Sequence, residues 1–199
     1  MTNFWDVKYD QNDWLYGQEP NSFLKSELSK LTPGLILLPA EGEGRNAVYA
    51  ALKGWQVDAY DFSEQAVENA LKFSSKHQVD INYVRGSHND LSQFDQGYDA
   101  IALIYAHVAN DFRESYHQQL LNLLKPGGHF IMEAFTTEQL GKSSGGPKDI
   151  NMLYTLEQVR SDFENGCEFQ LLEEVTEVLD EGKYHVGKAH FIRMLALKK

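Results

Sequence analysis

Leu35-Ile-Leu-Leu-Pro-Ala-Glu-Gly-Glu-Gly-Arg-Asn-Ala-Val48, read with Asp61 downstream, decides the fold of this chain. An apolar run breaks into a glycine-bearing turn, the turn opens a helix, and an acid closes the next apolar run. Gly42 and Gly44 let the backbone approach a ligand where a Cβ would block it. The helix beginning near Arg45 presents N–H groups to a negative group. Asp61 can accept hydrogen bonds from both hydroxyls of a ribose. Such a turn makes a nucleoside-shaped site, and Gly42-x-Gly44-x-x-Ala47 with a later acid also satisfies the dinucleotide-binding pattern.

Outward from this turn, five short apolar runs alternate with helical patterns, which predicts a parallel sheet covered on both faces. Leu35–Leu38 is the first strand, Trp55–Tyr60 the second, Ile81–Val84 the third, Tyr98–Ile104 the fourth and His129–Phe135 the fifth. Ser63 caps a helix carrying Ala66, Val67, Ala70 and Leu71. A helix from about Arg113 is stopped by Lys125-Pro-Gly-Gly128, because proline cannot continue a helix. The rhythm then changes. A glycine- and serine-rich loop runs from Glu138 to Pro147, and a short helix spans Leu156–Phe163. Two long strand-like runs, Glu168–Leu179 and Ala189–Leu197, pair antiparallel around Asp180-Glu-Gly182 at the sheet edge. Ahead of the sheet, Asn21–Leu31 forms an amphipathic helix, and Phe4, Trp5, Tyr9, Trp14 and Tyr16 crowd rings into a polar segment. A disordered segment would not carry them.

The 199 residues suffice for one domain with a full core, and 42% hydrophobic with 24% charged residues is ordinary for a soluble globular protein. No apolar stretch reaches the roughly 18 residues of a membrane span. Met1-Thr-Asn-Phe-Trp-Asp6 lacks the order of a signal peptide, so a cytoplasmic location is the default expectation. A net charge of −11 argues against a broad nucleic-acid surface. The single cysteine, Cys167, rules out an internal disulfide and reads as a half-buried structural residue. The seven histidines form no H-x-x-x-H or H-E-x-x-H pair, so no metal site is expected.

Three features point away from a nicotinamide cofactor. Asp61 is followed at once by Phe62-Ser63 opening a helix, Lys125-Pro-Gly-Gly128 precedes a strand, and the chain closes with an antiparallel pair. Together with Glu41–Asn46, Gly86-Ser-His-Asn-Asp-Leu91, Tyr98–Ile104 and Leu124–Gly128 in this order, they make the chain resemble the class I S-adenosylmethionine-dependent methyltransferases over nearly its whole length. Within that class, Gly42-Glu-Gly-Arg-Asn46 looks like the tellurite-resistance branch. Pro39 before the turn is similar to the turn of thiopurine methyltransferases. Both relatives methylate soft sulfur, selenium or tellurium centres.

The resemblance implies a Rossmann-like three-layer α/β/α sandwich, with a seven-stranded, mostly parallel sheet and a C-terminal antiparallel hairpin. One methyltransferase domain would span 1–199: an aromatic lid and helix over 1–33, a cofactor-binding core over 34–135, and a substrate loop with antiparallel strands over 136–199. The implied reaction moves a methyl group from S-adenosylmethionine, leaving S-adenosylhomocysteine, to a small-molecule acceptor such as a thiol or other chalcogen species. The alternatives are O- or N-methyl transfer to a small metabolite, or binding of the cofactor without chemistry. Neither nucleic acid nor membrane is an implied partner, and the chain would be a monomer or a homodimer.

Residue by residue, Ala40, Glu41, Gly42, Glu43, Gly44 and Asn46 would lie against the methionine part of the cofactor. Asp61 would take the ribose hydroxyls, with Ser63 beside it, and Phe62 would pack on the adenine. His88 or Asp90, with the backbone of Leu91, would read the adenine edge. Ile104 and Tyr105 would sit under the sulfonium. Two positions depart from the class pattern: Leu38 replaces the usual acid, and Ala40 replaces a glycine. Glu41 or Glu43 would then hold the methionine ammonium, and Ala40 would be tolerated where φ stays negative.

His107, just past the fourth strand, is the candidate catalytic base. Trp14, Tyr16 and Asn21 would form a lid over the cofactor and shape the acceptor pocket. The Gly141–Pro147 loop would be a second lid, and Tyr154 and His185 would reach the same mouth. Each assignment competes with a structural role: Asp61 as a helix cap, Asp90 as a loop acid, Phe62 as core, Arg45 and Asn46 as turn supports, His107 as a loop residue.

Overall fold

Leu35-Ile-Leu-Leu-Pro39 is apolar on both faces because it becomes β1, an interior strand between two parallel neighbours. The computed structural model describes residues 4–10, 14–89, 91–95 and 97–199. Beside β1 (Leu35–Pro39) lie β2 (Gln56–Asp61) and β4 (Tyr98–Ile104); β3 (Asn82–Arg85) follows β2, and β5 (Leu124–Phe135) follows β4. Two antiparallel strands, β6 (Cys167–Glu181) and β7 (His185–Lys198), complete a seven-stranded sheet of order β3-β2-β1-β4-β5-β7-β6. The expected architecture is the observed one, with the order of strands reversing between the parallel neighbours β1 and β4.

Helices cover both faces. On one side, Ile36 and Leu38 meet α2 (Ser22–Leu28), α3 (Arg45–Leu52) and α4 (Glu64–Lys76) through Leu24, Ala47, Ala50 and Ala70. On the other, Leu37, Ile101, Phe130 and Met132 meet α5 (Asn110–Leu123) and α6 (Leu156–Phe163) through Leu120, Leu121 and Phe163. Strand alternation sends neighbouring residues to opposite cores. Each fully buried Leu or Ile stabilises the fold by about 2 kcal/mol. Local signals agree with the packing. The Ser63 side chain caps α4 at Ala66 N, and Thr155 with Gln158 forms a capping box on α6. A first short helix, α1 (Phe4–Tyr9), lies on α4.

Two boundaries differ from the sequence reading. α5 begins at Asn110, and β5 begins at Leu124 instead of His129, because Leu124 already pairs with Tyr98 ahead of a bulge. Lys125 precedes Pro126, which favours extended backbone over helix. The hairpin also outruns its neighbour. β7 pairs with β5 only from His129↔Leu197 to Phe135↔Phe191, while β6 and β7 stay paired to Glu181↔His185. The overhang of His185–His190 is roughly 20 Å long at strand rise. It passes the carboxyl ends of the parallel strands and meets the N-terminal segment, where Lys183 N and Tyr184 N donate to Leu15 O at 3.0 and 3.3 Å. Among the described residues, no helix is long and apolar enough to cross a membrane.

Candidate active site

The turn after β1 is left-handed at three residues: Ala40 (φ 49°), Gly42 (φ 67°) and Gly44 (φ 83°). Ala40 therefore does not keep the negative φ expected of it, and its Cβ costs about 1 kcal/mol there. Gly44 must lack a Cβ, since one would stand 2.7 Å from the Ala70 Cβ. Glu41 folds back onto the first turn of α3. Its Oε1 accepts from Asn46 N at 2.7 Å and Ala47 N at 2.9 Å, and its Oε2 accepts from Asn46 Nδ2 at 3.1 Å. The α3 terminus thus spends these N–H groups on an internal carboxylate, which corrects the expectation that they await an external anion. Burial pushes the Glu41 carboxyl up to about 7 against these hydrogen bonds.

Asp61 closes β2 beneath the same turn. Oδ2 accepts from Gly42 N at 3.0 Å and Oδ1 from Ser63 N at 2.9 Å, and burial raises its pKa. Helix α1 covers this carboxylate. Asp6 accepts from Ser63 Oγ at 2.6 Å, Tyr9 O accepts from Asn69 Nδ2 at 3.0 Å, and the Tyr9 hydroxyl lies 2.9 Å from where a Gly42 Cβ would stand. Glu43 serves this segment too, accepting from Leu15 N at 2.9 Å and Asn69 Nδ2 at 3.1 Å. Both Glu41 and Glu43 are thus engaged by internal donors at each oxygen. Beside Asp61, Phe62 keeps 41% of its surface exposed, Leu91 is buried, and His88 stands edge-on to Tyr116 at 5.8 Å. Asp90 lies outside the described residues.

Across the sheet, Ile104 ends β4 and Tyr105 turns left-handed at φ 52°. Left-handed non-glycine residues thus stand at the carboxyl ends of both β1 and β4, the adjacent strands where the order reverses. Tyr105 stacks on Phe135 with ring centres 4.7 Å apart. Below it, Glu133 is buried in β5, accepting from Asn21 Nδ2 at 2.7 Å and Arg193 Nε at 2.6 Å. Asn21 also donates through N to Asn46 Oδ1 at 2.9 Å and caps α2 at Leu24 N. It is therefore a hub joining α3 to β5. Arg45 donates to Glu181 Oε2 at 2.9 Å and to Tyr16 O and Glu19 O. Trp14 packs on Phe73 with centres 4.6 Å apart, and Tyr16 on His185 at 4.5 Å.

Two expectations are corrected here. His107 Nδ1 meets Met152 O at 2.7 Å and its Nε2 accepts from Phe135 N at 3.1 Å, so both ring nitrogens serve the backbone. Burial lowers its pKa to about 4, and no ring nitrogen is open to act as a base. Tyr154 is fully buried, its hydroxyl accepting from Val108 N at 2.8 Å, so it belongs to the core and not to a lid. The Gly141–Pro147 loop is pinned: Gln139 Nε2 donates to Ser144 Oγ and Gly145 O, and Ser144 Oγ donates to Lys188 O. Cys167 is buried.

Sequence reasoning missed Tyr9, Glu133, Glu181 and Arg193. Glu133 had a signal: it is the one acid in the apolar run Phe130-Ile-Met-Glu-Ala-Phe135. Its partner Arg193 stands opposite it in the β5–β7 register, which no local pattern reveals.

Residues 36–128 match the family model of a methyltransferase domain. No curated protein matches the chain. A solved structure concerned with conversion of a disulfide bond into a thioacetal group during echinomycin biosynthesis aligns over 100% of this chain and 93% of its own, at 16% identity and a TM-score of 0.78. TehB from Haemophilus influenzae aligns over 90% of this chain at 18% identity and a TM-score of 0.75, although only 62% of TehB is covered. Magnesium protoporphyrin IX methyltransferase (ChlM) from Synechocystis PCC 6803, solved with bound SAH, aligns over 88% of this chain and 81% of its own, at 16% identity and a TM-score of 0.67. Residues 36–128 are thus similar to a methyltransferase domain, and the chain shares the fold of solved S-adenosylmethionine-dependent methyltransferases.

Proposed function

We propose that this domain, whose class uses S-adenosylmethionine, passes the methyl group to a small molecule through a thiol or related chalcogen atom. The observation that carries the reading is the convergence at the carboxyl ends of β1, β2, β4 and β5. The glycine turn lies over Asp61 on one side, and Tyr105 and Glu133 stand on the other. Ligands of open α/β sheets bind at such a reversal of strand order.

The residues fit the cofactor. Gly42 leaves a cradle that a Cβ would fill, and the Tyr9 hydroxyl covers it in this structure. Each Asp61 oxygen accepts from a backbone N–H and retains capacity for a ribose hydroxyl. Phe62 offers an exposed apolar face to a base. When bound, the cofactor supplies an electrophilic methyl carbon. The chain aligns the acceptor for in-line displacement and keeps water out. Tyr105, stacked on Phe135, walls the acceptor side, and Asn21 ties that wall to the turn through Asn46. The echinomycin-biosynthesis neighbour is concerned with sulfur chemistry, which supports a soft acceptor atom.

Calorimetric titration with S-adenosylhomocysteine tests the reading. Micromolar binding is expected for the wild type, with a loss of at least about 100-fold in Asp61→Ala, since two hydroxyl contacts and the turn's anchor go together. Absence of wild-type binding would overturn the cofactor assignment and the function with it.

A further inference from the structure

The tip of the β6–β7 hairpin carries an imidazole into the acceptor end. His185 opens β7 directly across from Glu181, with Nδ1 3.5 Å from Glu181 Oε2 and, among the described residues, no closed hydrogen bond on that nitrogen. The ring is buried among Tyr16, Tyr105 and Phe135, with centres 4.5, 4.8 and 5.6 Å away. Gly145 of the pinned loop completes the enclosure. A Cβ there would come within 2.8 Å of Nε2, so glycine at 145 keeps that nitrogen clear of a side chain. Four separate segments therefore converge on this side chain, and the structural roles described above leave it without one. His107, the other imidazole at these strand ends, has both nitrogens committed.

We propose that His185, whose Nδ1 side faces Glu181, accepts the proton of a neutral thiol acceptor at Nε2 during methyl transfer. The inference rests on the methyltransferase reading above. As the acceptor S–H bond breaks, its proton passes to the imidazole. The acceptor sulfur bonds to the methyl carbon, and the bond from that carbon to the sulfonium sulfur breaks, its electron pair staying on the departing sulfur. The imidazolium then returns its proton to solvent.

The charges facing this point explain why the acceptor arrives neutral. Glu181 from β6 and Glu133 from β5 are carboxylates. Arg45 from α3 is spent on Glu181 and two carbonyls, and Arg193 from β7 on Glu133 and Glu177. The Tyr16 and Tyr105 hydroxyls, raised by burial, stay protonated. Both guanidinium groups are engaged by these carboxylates, so none is left to ionise an alkyl thiol, which stays neutral until a base takes its proton. Burial also lowers the His185 pKa, with Glu181 opposing, so the ring is neutral and able to accept a proton.

The test compares two thiols on the full chain. 2-Mercaptoethanol is largely protonated at neutral pH, whereas thiophenol is largely ionised and needs no base. In His185→Gln, kcat for 2-mercaptoethanol should fall 100-fold or more, and its rise with pH through the His185 ionisation should vanish. Thiophenol methylation should fall no more than about five-fold, and S-adenosylhomocysteine affinity should stay within two-fold. Equal losses for both thiols, or none for either, would overturn the base. So would a wild type that binds S-adenosylhomocysteine yet methylates neither thiol, and the cofactor reading would survive that result. A wild type that fails to bind S-adenosylhomocysteine would overturn both.

Discussion

Replacing Glu41 by glutamine should change how stability depends on pH. Glu41 is packed at the α3 terminus, and its carboxyl moves from 4.5 to about 7, chiefly because burial disfavours the charge. The shift is about 2.5 units, worth at most about 3 kcal/mol. The folded carboxyl keeps its proton to higher pH than the unfolded one. Its contribution is therefore whole below about 4.5 and lost as pH rises through about 7. The substituted amide is neutral throughout and lacks this slope. It carries a separate, pH-independent cost. Its Oε1 can still accept from Asn46 N and Ala47 N, but its amide nitrogen then faces the donor Asn46 Nδ2. Asn46 cannot turn over without leaving Asn21 N unsatisfied, because Asn46 Oδ1 accepts from it. That conflict costs about 1–3 kcal/mol. Urea denaturation of both proteins from pH 5 to 8 measures the difference. The variant should be clearly less stable at pH 5, and the gap should narrow by up to about 3 kcal/mol by pH 8. Burial also raises the Asp61 and Glu133 carboxyls, but those shifts occur in both proteins and cancel in the difference. A gap that stays constant across this range would refute the shifted carboxyl.

Ala40→Gly should stabilise the fold by up to about 0.5 kcal/mol: relief of a Cβ at φ 49° outweighs the larger unfolded-state entropy of glycine. A thermal melt reads this directly, and a destabilised variant would contradict a left-handed residue 40. Tyr9→Ala should tighten S-adenosylhomocysteine binding about five-fold by calorimetry while lowering the melting temperature, because the Tyr9 hydroxyl stands over Gly42 and closes access to Asp61. Weaker binding would mean that Tyr9 contacts the cofactor instead of competing with it.

The amino-acid sequence by itself determined most of the sheet and set the glycine turn beside Asp61. Leu35–Pro39, the turn to Gly44 and Asp61 lie within 27 consecutive residues, so a strand, its turn and the next strand end appear in one local pattern. The sequence could show that the α3 terminus has donors, but not that Glu41 accepts from them or that Ala40 turns left-handed; both depend on the path the chain takes around Gly42. The proposed acceptor half came only from tertiary structure. Glu133 and Arg193 are 60 residues apart and meet through the antiparallel register of β5 and β7. His185 lies across from Glu181, and it reaches Tyr105 only because the hairpin overhangs the end of β5. The same overhang brings the N-terminal segment across Asp61's side of the sheet and gives Arg45 its carboxylate. Local patterns record what a segment can form, whereas register and overhang are set by how whole strands align, and at this site they decide which charges meet.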